Sequence, residues 1–151
     1  MSSCSNHKKC VKESLKKAEE ICKEKNLRFT DLRKNVFLII LQSHQPSKAY
    51  DILDVLKKND SSAKPPTIYR ALDFLLENGL IHKLHISNSY VSCSHPLKHK
   101  KCSFLICNKC HEVSECCDEK LTQELYQIGL QNNFEIQDAN VEIRGICSSC
   151  S

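Results

Sequence analysis

Two Cys-x-x-Cys pairs, Cys107-Asn108-Lys109-Cys110 and Cys147-Ser148-Ser149-Cys150, constrain this chain more than any other feature. Each pair sets two thiolates on one tight turn, and two such pairs supply the tetrahedral sulfur site that zinc prefers. They are separated by 36 residues, more than a simple zinc ribbon needs and enough for strands and a helix. Phe104–Cys107 and Val113–Cys116 read as strands, Glu119–Gln131 as a helix and Val141–Ile146 as a returning strand. Zinc on all four thiolates would then tie the terminal tail to the first turn of this segment. A redox Cys-x-x-Cys is the rival reading, but such a motif occurs once and in a βαβ context.

The chain has 11 cysteines in 151 residues. Residues 1–10 lack the apolar centre of a signal peptide, and no apolar run approaches the ~20 residues that span a bilayer. These features predict a cytoplasmic protein, and in a reducing compartment thiols read as metal ligands rather than disulfides.

Upstream of the cysteine pairs, the periodicity is helical. Val11, Leu15, Ala18, Ile21 and Cys22 recur on one face, with Asn26 as a stop. Thr30 is placed to cap a second helix bearing Val36, Phe37, Ile40 and Leu41, and Ser47 to cap a third bearing Ala49, Ile52, Leu53 and Leu56. Pro65 and Pro66 open a fourth, with Ile68, Ala71, Leu72 and Leu75 as its buried stripe and Gly79 as its left-handed stop. Two extended runs follow, Leu80–Leu84 and Tyr90–Cys93, around a Ser87-Asn88-Ser89 turn.

Helices followed by a hairpin predict a winged helix-turn-helix, with Thr67, Tyr69 and Arg70 near the base-reading end of the fourth helix. The competing reading is a plain helical bundle. Charge favours the first: residues 1–92 carry 16 Lys and Arg against 10 Asp and Glu, and residues 93–151 carry 6 against 8. The expected fold is α+β. It comprises a flexible tail over 1–11, a winged-helix domain over 12–93, a hinge and ligand loop over 94–102, and a small α/β dimerisation domain over 103–151.

A second group of potential ligands lies around the junction: His82, His85, Cys93, His95, His99, Cys102, Glu115, Cys116 and Cys117. Mixed N, S and O donors from separate elements suit a reversible metal site that draws domains together when filled. The same residues also fit ordinary structural roles, with Cys116 or Cys117 simply buried. Cys4, His7 and Cys10 read as part of a frayed tail rather than a metal site.

The sequence resembles the ferric uptake regulator family, in its zinc uptake regulator branch, over about residues 12–150. The resemblance is carried by Arg28-Phe29-Thr30-Asp31-Leu32-Arg33, by the run from Ala63 to Lys83, by Asn88–Cys93 and by Phe104–Cys107. It implies a homodimeric, zinc-loaded repressor of zinc uptake genes that binds an AT-rich inverted repeat. It also implies two zinc ions per chain: a structural one on Cys107, Cys110, Cys147 and Cys150, and a regulatory one on His82, Cys93, Glu115 and a loop ligand. The loop between Cys93 and Cys107 is one residue shorter than the family pattern, which sets Lys100 where a histidine is expected. His99 is the nearest replacement, with His95 and Cys102 as substitutes.

Tyr50 and Arg70 match base-contacting positions. Asp54 and Lys57 fall where neighbouring dimers form ion pairs, with Lys in place of the familiar Arg. A relative sensing iron, nickel or peroxide is the alternative. Cys93 argues against iron and peroxide, because a thiolate favours zinc over the harder iron ligands. A thiol-redox enzyme would need an exposed reactive cysteine, and Cys116-Cys117 is the only unusual pair outside the four-cysteine set. A zinc deaminase would need H-x-E before P-C-x-x-C, which the chain lacks. The expectation is a binding protein, not an enzyme.

Overall fold

A computed structural model describes residues 7–43, 45–96 and 102–151, and divides the chain into two compact units, 1–97 and 98–151. The proposed loop ligand His99 lies outside the described residues, as does Cys4.

The first unit contains α1 (His7–Glu24), α2 (Asp31–Gln42), α3 (Ala49–Lys57), α4 (Pro65–Glu77) and the hairpin β1 (Ile81–Leu84) and β2 (Ser89–Ser92). The helices bury most of the stripes read from periodicity: Ala18, Ile21 and Cys22, then Val36, Phe37, Ile40 and Leu41, then Ile52, Leu53 and Leu56, then Ile68, Ala71, Leu72 and Leu75, with Val11, Leu15 and Ala49 half-buried against the same core. Thr30 caps α2 by accepting from the Arg33 amide, and Gly79 takes its positive φ of 66° after α4.

The Arg-Phe-Thr motif couples α2 to α4. Phe29 stacks on Phe74, and the Arg33 guanidinium lies 3.7 Å over the Phe74 ring while donating to the Arg28 carbonyl. α4 is thereby held from behind, and its outer side is left to solvent.

Two expectations change. α1 opens at His7, so residues 7–11 are helical rather than tail. Ser47 does not cap α3. It is buried and pairs with Tyr90, each amide donating to the other's carbonyl at 2.9 Å, so it extends the wing by an isolated bridge, and Lys48 takes the cap position without a side-chain bond. Exchange of two backbone bonds with a strand satisfies more polar groups than a single cap would.

The second unit contains β3 (Ser103–Cys107), β4 (Val113–Cys116), α5 (Glu119–Gln131) and β5 (Val141–Gly145) in a three-stranded sheet of order β4-β3-β5. β3 pairs antiparallel with β4 and parallel with β5. A parallel pair needs a crossover, and α5 provides it. Asp118 caps α5, accepting from the Lys120 amide at 2.8 Å. The turn after α5 packs so closely that a Cβ on Gly129 would stand 2.7 Å from the Phe134 carbonyl oxygen, which leaves room only for glycine.

Candidate metal centre and nucleic-acid interface

The parallel register explains how cysteines so far apart in sequence meet. Cys107 at the end of β3 lies beside Gly145 at the end of β5, so both Cys-x-x-Cys turns leave the same end of the sheet. The Asn108 amide donates to the Gly145 carbonyl at 2.8 Å and the Cys147 amide points at the Cys107 sulfur at 3.4 Å, locking one turn to the other. His111, at φ 60°, turns the first knuckle back so that the Cys107 amide reaches the Glu112 carbonyl.

The four sulfurs all lie within 4.8 Å of one another, with Cys110 and Cys147 3.7 Å apart. Thiolates about 2.3 Å from a tetrahedral ion stand about 3.8 Å from each other, so this spacing fits zinc.

Charge makes the same point. The amides of Cys110 and Cys147 hold the Cys107 thiol down to about 6, whereas Cys150, hydrogen-bonded first to Cys147 and then to Cys110, is pushed up to about 12. Cys110 is raised too: the Glu112 amide favours its thiolate, but the Cys107 thiol, burial and Cys147 outweigh it. Several thiolates cannot coexist at this spacing without a cation.

Proton release on zinc uptake is the consequence. At pH 7 the metal-free site holds Cys107 mainly as thiolate and Cys110 and Cys150 as thiols, so zinc should displace at least these two protons. Its apparent affinity should rise with pH, and below about 6 Cys107 adds a further proton to be displaced. Calorimetric titration of metal-free protein in buffers of different ionisation enthalpy measures the count. An enthalpy independent of the buffer contradicts it.

In the first unit, the wing brings two of the junction residues together. The Cys93 amide donates to the Leu80 carbonyl at 2.9 Å, and His82 pairs with Val91, so Cys93 and His82 are diagonal neighbours on the hairpin. Their ligand atoms lie within 4.8 Å, and Cys93 is buried. His85 and His95 are exposed. In the second unit, Glu115 sits on β4.

Cys116 and Cys117 are exposed, not buried, and Cys117 forms a disulfide with Cys102. This corrects the expectation that the thiols outside the two Cys-x-x-Cys pairs are metal ligands rather than disulfides: the sheet brings these two together. Cys102 precedes β3 and Cys117 follows β4, and only the register Ser103↔Cys116 sets them opposite each other.

Thr67, Tyr69 and Arg70 are exposed on the first turns of α4, and Tyr50 is 68% exposed at the start of α3. Ala49, Tyr50, Leu53, Pro65, Ile68 and Tyr69 line a shallow apolar notch where these two helices begin. Asp54 and Lys57 are exposed farther along α3.

A winged helix followed by a small sheet unit with a four-cysteine cluster spaced for zinc defines a metal-binding transcription regulator. The model of the ferric uptake regulator family matches residues 24–144, and the chain belongs to that family, whose members are regulators and not enzymes. It is 38% identical to the zinc uptake regulation protein of Escherichia coli K12 over 146 residues, covering 95% of this chain and 84% of that protein. A zinc uptake regulator solved in complex with zinc and DNA matches with a TM-score of 0.88 and 36% identity, covering 93% of this chain and 94% of the other. The crystal structure of holo XcZur matches at 0.83 and 37% identity, covering 90% and 95%.

Proposed function

We propose that this chain is a zinc-responsive repressor of zinc uptake genes that binds an AT-rich inverted repeat as a homodimer when zinc-loaded. The observation that carries this reading is the pairing of an imidazole and a thiol, His82 and Cys93, on the wing of a chain so similar to a regulator complexed with zinc and DNA. A nitrogen and a sulfur donor together suit zinc better than iron. The regulatory ligand set is His82, Cys93 and Glu115, with His99 completing it and His95 or Cys102 as replacements. The ion supplies bonds that exist only in the DNA-competent arrangement. The switch is then the difference in zinc affinity between that arrangement and the others.

Homodimerisation is supported by the second unit's surface. Leu105 and Ile143 are neighbours in register on β3 and β5 and are 47% and 48% exposed, with Ile128, Leu130, Phe134 and Ile146 also exposed. So much open apolar surface on a small unit fits an interface between copies of the chain. Cooperation of dimers on DNA would run through Asp54 and Lys57.

On DNA, the apolar notch beside Tyr50 and Tyr69 suits a thymine methyl group, and the Arg70 fork suits guanine O6 and N7. Arg70→Ala should therefore weaken operator binding by about 1–3 kcal/mol and relax selectivity at one base pair. Binding to an operator panel varied at single positions measures this. A uniform loss across the panel would make Arg70 a phosphate contact instead.

The test of the function is DNA binding titrated separately with zinc, iron(II) and nickel under reducing conditions. Zinc should drive binding at the lowest free concentration. Equal or stronger response to iron(II) would overturn the reading.

A further inference from the structure

Cys102 and Cys117 pose a problem that the four-thiolate centre does not absorb. They stand directly opposite each other just beyond the paired ends of β3 and β4, with Cα atoms 4.2 Å apart. That is the close spacing of opposed residues that exchange no ladder hydrogen bonds, and the adjoining pair Ser103↔Cys116 anchors both residues from the sheet side. Glu115 lies two residues before Cys117 on the same face of its strand. The Cys117 sulfur is 3.5 Å from Glu115 Oε1, and one ligand atom from each of Cys102, Glu115 and Cys117 lies within 4.8 Å of the others. Cys117 is exposed and Cys102 half-buried, so solvent and small molecules reach the pair at Cys117.

We propose that Cys102, Cys117 and Glu115 form a redox-gated zinc site, open in the dithiol state and closed by the disulfide. Two thiolates and a carboxylate are a donor set that zinc accepts, and the exposed fourth position falls to solvent. The gate is thiol–disulfide exchange with a small-molecule disulfide. The Cys117 thiolate attacks one sulfur of that disulfide and expels one small thiolate, leaving a mixed disulfide on Cys117. The Cys102 thiolate then attacks the Cys117 sulfur and expels the second thiolate. Two electrons leave the protein, one small disulfide becomes two thiols, and any bound zinc is released because two of its three protein donors are gone. Reduction by an excess of the small thiol reverses each step.

The site lies wholly within residues 98–151, although it shares Glu115, and Cys102 as a replacement loop ligand, with the regulatory ligand set, so Cys117, which that set does not use, is the residue that tells the two apart. The experiment is therefore made on the full-length chain carrying Cys93→Ser, which disables that set and leaves the four-thiolate centre. Zinc per chain is measured after desalting, first with a phosphine reductant and then after treatment with oxidised glutathione. The reduced chain should hold one zinc beyond the structural ion and lose it on oxidation. Adding Cys102→Ser, or separately Cys117→Ser, should remove the extra zinc and leave a count that the oxidant does not change, with circular dichroism unaltered.

Three results overturn the proposal. One is a reduced Cys93→Ser chain holding only the structural ion. Another is an extra zinc that survives both added serine substitutions. The third is oxidant-driven zinc loss that persists in them, which would assign the loss to the four-thiolate centre. The repressor reading is judged apart from these, by zinc-dependent DNA binding of the chain with Cys93 intact.

Discussion

Cys110→Ser is expected to empty the four-thiolate centre and unfold residues 98–151. The unit carrying this centre is small, and its buried apolar residues are few: among its described residues only Phe104 and Cys107 are buried apolar side chains. A core this thin does not offset the conformational entropy of some fifty residues, and domains of this size need a staple. Structural zinc contributes on the order of 10 kcal/mol in small domains. It acts here where the staple matters most, joining the end of β3 to the chain just past β5. Loss of one thiolate would also leave the remaining three crowded at the same spacing. The measurement is zinc content together with thermal unfolding followed by circular dichroism and with oligomeric state by sedimentation. Loss of the ion, of the cooperative transition of the second unit and of the dimer should occur together. Full zinc content with an intact dimer in Cys110→Ser would refute the centre's structural role.

Cys93→Ser should behave in the opposite way, leaving the fold intact while abolishing zinc-dependent DNA binding. The residue follows β2 in the wing and belongs to the first unit, whereas the four-thiolate centre belongs to the second. Its backbone bond to Leu80 does not involve the side chain, so serine keeps it. The hydroxyl is close in size to the thiol but is a poor zinc ligand at neutral pH. Its burial beside His82 then leaves a site with one strong donor fewer. Moving a two-state equilibrium from mostly inactive to mostly active takes an affinity difference of about 10⁴ between the states. Loss of one of the strongest ligands is enough to remove most of it. The expected result is a dimer with its structural zinc and a loss of at least about 100-fold in zinc-dependent operator affinity. Glu115→Ala should follow it. Normal zinc-dependent binding by both variants would remove the regulatory site from this account. The loop ligand is resolved by comparing His99→Ala, His95→Ala and Cys102→Ser in the same assay.

Much of the fold was legible because periodic burial is local. The stripes on α1 to α4 were read from spacing alone, as were the Thr30 cap and the Gly79 stop, since each depends on residues within one or two turns. The four metal cysteines were legible for the same reason: Cys-x-x-Cys is a complete local device, and two copies call for one ion. What was missed is non-local. Ser47 has the chemistry of a helix cap, but the nearness of Tyr90, 43 residues away in sequence, gave its backbone a better partner.

The sequence by itself determined the element order, the core faces and the four cysteines that cluster, because these follow from side-chain chemistry at short spacing. Only the tertiary structure decided which distant side chains became neighbours. The parallel register of β3 and β5 set the two Cys-x-x-Cys turns at one end of the sheet, and the antiparallel register of β3 and β4 set Cys102 opposite Cys117. Strand register is chosen by the burial of whole strand faces, and a slip of one residue would turn every side chain to the other face. No local motif encodes that choice, so the pairing of Cys102 with Cys117 emerges only when the sheet is assembled.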